Sequence, residues 1–239
     1  MFKPALPIRT CLRLACGLAL LLSASIAAAQ SRPTVVELYT SEGCNSCPPA
    51  EAQIGKLAGQ DGIIALAFHV DYWDSLGWKD RFELPEALAR QQQYAHTLHL
   101  RSVYTPQLVI DGQRDVVGGG EGIGSSAAKQ PGVPLELSVR DNSLQVAVAA
   151  QPSRTSCDVL LLGYLPQAVS KVTRGENAGR ELHEFNIVRS LRKLGDYQGE
   201  GKTFSVPLSS IAPDATAVVV LVQQRDQGPI VGAASRLLR

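Results

Sequence analysis

Little in this chain of 239 residues supports a design driven by charge or by sulfur. Its one Met is the initiator, so it lacks the thioether donors that suit soft metals such as Cu(I). Aromatic residues make up 5% and charged residues 19%, for a formal charge of only +1. Binding to a phosphate backbone needs clustered Lys and Arg, so the composition argues against a nucleic acid partner. Hydrophobic residues at 45% exclude intrinsic disorder. There is no repeat of solenoid period and no low-complexity tract.

The basic excess sits at the start. Lys3, Arg9 and Arg13 precede or interrupt an apolar stretch, Leu12 to Ile26, that ends in Ala27-Ala28-Ala29. Residues 1–29 therefore read as a secretory signal cleaved after Ala29. The apolar run is shorter than the roughly 20 residues of a spanning helix, so no stable membrane anchor is expected after cleavage. Arg13-Leu14-Ala15 before Cys16 does not suit a lipobox. The expected location is secreted or periplasmic, an oxidising compartment. Cys11 and Cys16 leave with the signal, so the mature chain keeps Cys44, Cys47 and Cys157. An odd number excludes a disulfide framework and leaves one close pair plus one thiol.

The rest divides in two. Residues 30–117 alternate strand and helix: Val35 to Tyr39, a helix from about Pro48 to Ala58, Ile63 to Val70, Pro85 to Leu98, then Leu108 to Ile110 closed by Asp111-Gly112. That order implies an α/β sheet. Residues 118–134 are rich in Gly, Ser and Pro and read as a linker. Residues 135–239 alternate apolar and polar in short runs, at Leu135 to Val139, Leu144 to Val148, Val159 to Leu165, Phe204 to Leu208, Ala217 to Val222 and Ile230 to Leu237. The expectation is a mostly β, sandwich-like C-terminal domain.

The motif that carries chemistry is Cys44-Asn45-Ser46-Cys47, between a strand and a helix. Two thiols at this spacing suit redox work, because a helix N-terminus stabilises a thiolate. Cys44 would then be exposed and attack a partner disulfide, and Cys47 would resolve the mixed disulfide. A static disulfide and half of a metal site are the competing readings; no second pair of ligands stands nearby to complete a zinc site.

From Thr34 to Val117 the chain resembles the thioredoxin-like superfamily, through the strand, the Cys pair, the helix and Tyr104-Thr105-Pro106-Gln107. The resemblance implies a cis Pro106 facing the cysteines and a substrate strand held at Thr105 and Pro106. More narrowly, the mature chain resembles the bacterial secreted family DUF1223. That likeness rests on Val36 to Ala50 around the Cys pair, on His69-Val70-Asp71-Tyr72-Trp73-Asp74 with Leu76-Gly77-Trp78, and on Gly175-Glu176-Asn177-Ala178-Gly179-Arg180. The family name implies no substrate. Two features depart from ordinary thioredoxins: the dipeptide Asn45-Ser46, and Pro48-Pro49, which remove two N–H donors and push the helix start past Cys44.

Glu37 interrupts an apolar strand near the position of the buried acid of thioredoxins, which implies a proton-shuttle role beside the cysteines. Trp73, with Tyr72 and Trp78, forms a lip over the pair or a packed insertion. His69 lines the site, joins the thiols on copper, or serves as a packing residue. Arg174 to Arg180 reads as a polar turn, and Cys157 as a buried inert thiol. Together these imply an exported thiol–disulfide oxidoreductase acting on thiols or disulfides of other exported proteins. Cys44, Cys47 and Glu37 would be catalytic, Thr105, Pro106 and Trp73 would bind substrate, and no cofactor or metal is expected. The alternative is a non-catalytic binding module or a copper chaperone on the same fold.

Overall fold

The computed structural model describes residues 31–118, 130–152 and 155–238. The stretch expected to be a secretory signal and most of the glycine-rich stretch fall outside them. After a two-residue β1 (Ser31–Arg32), the first half runs β2 (Thr34–Thr40), α1 (Pro48–Ala58), β3 (Ile63–His69), α2 (Pro85–Thr97), β4 (Gln107–Ile110) and β5 (Arg114–Val117). Strands β2 and β3 are parallel and buried at every position, as strands covered on both faces must be. Strand alternation sorts their side chains. Val36 and Leu38 meet Ala50, Ile54 and Leu57 of α1. Val35 and Tyr39 meet Ala87 and Tyr94 of α2. The two helices thus cover opposite faces. Strand β4 runs antiparallel to β2 and turns into β5.

The second half contributes β6 (Gln130–Pro131), β7 (Leu135–Arg140), β8 (Ser143–Val148), β9 (Cys157–Lys171), β10 (Glu181–Tyr197), β11 (Lys202–Pro207), β12 (Ala217–Gln224) and β13 (Ile230–Leu237). Part of the expected linker is thus a strand, since β6 pairs with β1. Four of these strands continue the first half's sheet, in the order β13-β12-β9-β10-β3-β2-β4-β5. A separate sheet, β11-β8-β7, lays Leu144 and Val146 against Val159, Leu161, Val218 and Val220. The two sheets share this core, and one of them is the sheet that also holds β2 and β3. A shared core follows: Val35 and Phe68 sit in one cluster with Leu162, Val219, Leu221 and Ile230, so the sheet curls over that face.

The longest strand, β10, was not expected. Its apolar residues Leu182, Phe185, Val188, Leu191 and Leu194 recur every three residues, which hides the period of two that marks a strand. The cause is irregular pairing. The register with β9 shifts between Val188 and Ser190 and again between Lys193 and Gly195, and each bulge resets which face a side chain takes.

Strand β10 joins the halves at one parallel step, Ile187 opposite Ala67. Beside it Asn186 has a left-handed backbone, φ 47°, and its side chain donates to the Ala65 carbonyl at 2.8 Å. Asn tolerates this backbone better than other non-glycine residues. Asn186→Ala should destabilise the fold by about 2–4 kcal/mol, from an unpaired carbonyl and left-handed strain together. Asn186→Gly should recover the strain part. Urea unfolding of both variants checks this; equal losses would contradict the backbone contribution.

Candidate functional site

Helix α1 begins at Pro48 because Pro48 and Pro49 suit first-turn positions whose N–H groups have no intrahelical partner. Cys47 is therefore the N-cap, and the N–H groups of Ala50 and Glu51 donate to its carbonyl at 2.9 and 3.1 Å. Cys44 and Cys47 form a disulfide with Cα atoms 5.5 Å apart, within the ordinary range. Asn45 and Ser46 are exposed, whereas Cys44 and Cys47 are both buried. The expectation of an exposed Cys44 is not met.

Long-range contacts shape the turn before the pair. The Glu42 N–H donates to Asp80 Oδ2 at 2.7 Å. The Glu42 carboxylate accepts from Trp78 Nε1 at 2.7 Å, from the Arg81 backbone N–H at 3.0 Å, and from the Ser170 hydroxyl of β9. Asn177, in the β9–β10 connection, donates through Nδ2 to the carbonyls of Glu42 and Cys44 at 2.9 and 3.0 Å. The Asn45 N–H points to Glu176 Oε2 at 3.3 Å. The segment read as a polar turn is thus a clasp over the cysteine loop.

Under Cys47 lies a buried polar cluster. His69 ends β3 on the α1 face, with Nδ1 at 2.9 Å from Asp80 Oδ2 and Nε2 at 3.8 Å from Glu51 Oε1. Burial opposes the cationic form of His69, but Asp80, Glu184 and Glu51 outweigh it and raise its pKa to about 10. Burial likewise opposes ionisation of Asp80, yet the His69 charge and hydrogen bonds hold its carboxyl below the usual range. Glu51 is pushed up by burial, with His69 opposing. Glu184 is raised to about 8 by burial, against His69 and with help from Glu42, Glu51 and Asp80. Both Glu51 oxygens, Glu184 Oε2 and His69 Nε2 lack a well-aligned hydrogen-bond partner; Thr40 and the Phe185 backbone give Glu51 only weak support. The result is a cationic imidazole, an anionic Asp80 and two carboxyls that hold protons above the normal carboxyl range.

Of these groups Glu51 and Glu184 open onto a groove of about 450 Å³ between α1 and β10, lined also by Ser41, Cys47, Pro48, Gly55 and Phe185 among others. Among the described residues its β10 wall, Glu181 to Phe185, pairs only with β9. The groove's floor is close-packed: a Cβ on Gly55 would lie 2.8 Å from the Phe185 ring. Cys47 reaches this groove; Cys44 is not among its lining residues.

The sequence-derived residues separate accordingly. Trp73 and Thr105 do meet, through an Nε1–H to Oγ1 hydrogen bond of 2.8 Å, and the Thr105–Pro106 peptide is cis. The Trp73 Cβ would be 3.0 Å from a Cβ on Gly43. Trp73 thus packs against the loop just before Cys44, and none of Trp73, Thr105 and Pro106 lines the groove. Glu37 is a correction. It shares the α2 face with Val35 and Tyr39, away from α1, and is fully buried against Arg90, at 2.8 Å, and the Tyr94 hydroxyl, at 2.6 Å. Arg90 also bonds Gln223 of β12 at 2.9 Å. An acid already paired in this way ties the halves together rather than serving the cysteines. Glu51, Asp80, Glu184 and Asn177 were missed as site residues. Glu51 sits one turn past Cys47 on a helix face, a spacing readable in the sequence; the other three depend on tertiary contacts. Among the described residues, no group of three or more His, Cys, Asp or Glu is arranged to hold a metal ion.

The sequence signature of a family described as protein of unknown function (DUF1223) matches residues 35–223. The chain is also similar to the X-ray crystal structure of a structural-genomics target from Agrobacterium tumefaciens. That likeness has 27% identity and a TM-score of 0.77, and covers 87% of this chain and 96% of that one. No curated protein matches the sequence.

Two outcomes follow from the buried charges. The His69 pKa lies near 10 in the fold and near 6.5 in an unfolded chain. Its stabilising contribution is complete below about pH 6.5 and is lost as the pH rises through about 10. Glu184, raised to about 8, works in the same sense over a lower window. The urea midpoint should therefore fall from pH 6 to pH 10, and His69→Gln should flatten the fall above pH 8; a wild-type midpoint constant over that span would contradict the ion pair. Separately, Arg90→Met leaves Glu37 unpaired and should cost about 3–5 kcal/mol, with most of it recovered in Glu37→Leu/Arg90→Met. Calorimetry of the single and double variants measures this.

Proposed function

The chain belongs to the DUF1223 family, and for it we propose thiol–disulfide exchange with polypeptides in the compartment to which its leader directs it, secreted or periplasmic. The observation that carries this reading is the setting of the disulfide. It sits at the N-terminal end of α1, Cys47 borders an open groove, and carboxyls with raised pKa line that groove beside it. A staple has no use for proton carriers; an exchanging pair does, because each thiol that forms or reacts gains or loses a proton.

A thioredoxin-like reading of the first half draws support from the strand order β3-β2-β4-β5, one parallel and two antiparallel pairings, helices on opposite faces, and a cis proline opening β4. In the reaction, a thiolate of a partner dithiol attacks one sulfur of the Cys44–Cys47 bond. The second sulfur leaves with the bonding electron pair and takes a proton. The partner's second thiol, losing its proton, then attacks the mixed disulfide. The partner ends as a disulfide and the chain as a dithiol, with two electrons and two protons transferred; the reverse sequence reduces a partner disulfide. Glu51 is placed to give and take the proton, since it holds one more tightly than an ordinary carboxyl and shares the helix face of Cys47.

Oxidised full-length protein mixed anaerobically with a two-cysteine peptide should yield one peptide disulfide per protein disulfide consumed, counted by mass spectrometry. Glu51→Gln should slow that exchange about tenfold or more near neutral pH, the lower range for loss of a proton-transfer group. An unchanged peptide after prolonged incubation would leave the pair a staple.

A further inference from the structure

We infer that Cys47, not Cys44, is the sulfur that bonds to the partner, with Cys44 as the resolving cysteine, an assignment that rests on the thiol–disulfide reading above.

Access is the first argument. Cys44 is fully buried. Its carbonyl is held by the Asn177 side chain, and the preceding Gly43 lies against Trp73. Cys47 is also buried as a residue, yet it lines the groove between α1 and β10. An incoming thiolate must approach a disulfide along the extension of the bond it breaks, and Cys47, which borders the groove, has a route of approach that the fully buried Cys44 lacks.

The helix is the second. Pro48 and Pro49 delay its start, so the N-cap is Cys47 rather than Cys44. The N–H groups of Ala50 and Glu51 donate to the Cys47 carbonyl and none caps its sulfur, so the helix acts at Cys47 through the positive end of its dipole. A cysteine at a helix N-terminus has its thiolate stabilised, which favours Cys47 as the nucleophile when the pair is reduced.

The leaving sulfur is the third. Cys44 Sγ lies 3.3 Å from the hydroxyl of Ser46, an exposed residue. When a partner thiolate bonds to Cys47 Sγ, the Cys44–Cys47 bond breaks and its electron pair goes to Cys44. A hydroxyl that donates to that sulfur stabilises the thiolate formed, and a better leaving group is expelled faster. Release is the second half of the cycle, with the partner's other thiol attacking its own sulfur in the mixed disulfide and freeing Cys47. In the reducing direction, Cys47 thiolate attacks the partner disulfide and Cys44 then displaces the partner from Cys47. Both directions pass through the same Cys47 mixed disulfide.

The test uses full-length Cys44→Ser and Cys47→Ser variants, reduced and then mixed with glutathione disulfide. Cys44→Ser should acquire glutathione on Cys47 about tenfold faster than Cys47→Ser acquires it on Cys44, because thiolate fraction and access both favour Cys47. A second measurement avoids any folding defect of the variants. Reduced wild-type protein treated with limiting iodoacetamide should carry the label on Cys47 first, located by peptide mass spectrometry. Faster capture or labelling at Cys44 would overturn the assignment while leaving the exchange reaction intact. Failure of both sulfurs to react, with the peptide dithiol also untouched, would overturn the exchange reaction and this assignment together.

Discussion

The carboxylate of Asp80 is the constraint on which the site depends. One oxygen receives the Glu42 N–H at 2.7 Å and His69 Nδ1 at 2.9 Å, and the other receives the Phe82 N–H at 2.8 Å. It thereby ties the loop after β2, the end of β3 and the approach to α2 to one buried point. An anion so placed is tolerated because its lone pairs are met by donors and a cation. The same anion makes His69 a cation, and that cation in turn opposes the burial effects on Glu51 and Glu184. The proton content of the groove is thus set by a residue that never lines it.

A second buried ion pair does the corresponding work on the other face of the sheet. Glu37 on β2, Arg90 on α2 and Gln223 on β12 form a hydrogen-bonded chain, with Tyr94 bonded to all three. Each face of β2 and β3 therefore carries one polar network linking them to the second half of the chain: Glu42 with Ser170 and Asn177 on the cysteine side, Arg90 with Gln223 on the other. The geometry of the cysteine loop is consequently a property of the whole chain, since Asn177 and Ser170 come from strands and turns more than 120 residues away in sequence.

Much of the first half was legible because its signals are local. The β-branched run before Cys44, the double proline after Cys47, and the Pro85 helix start each act through neighbours in sequence, and strand and helix ends fall within a residue or two of expectation. What was not legible depends on long-range pairing. The bulges of β10 disguise a 17-residue strand, and with it went Glu184 and the groove. Glu37 shows the converse: a buried acid in an apolar strand was correctly expected to be buried, but the partner that decides its role, Arg90, lies 53 residues away. The Asn177 loop reads as turn chemistry because its contacts are to carbonyls, which leave no mark on composition.

The central claim is that this disulfide is made to exchange rather than to staple, and its reduction potential tests that most directly. Equilibrated with glutathione and with dithiothreitol buffers of graded ratio, an exchanging pair should show a midpoint above about −300 mV, the value below which structural disulfides typically lie. A pair still fully oxidised in buffers more reducing than about −300 mV would contradict the account.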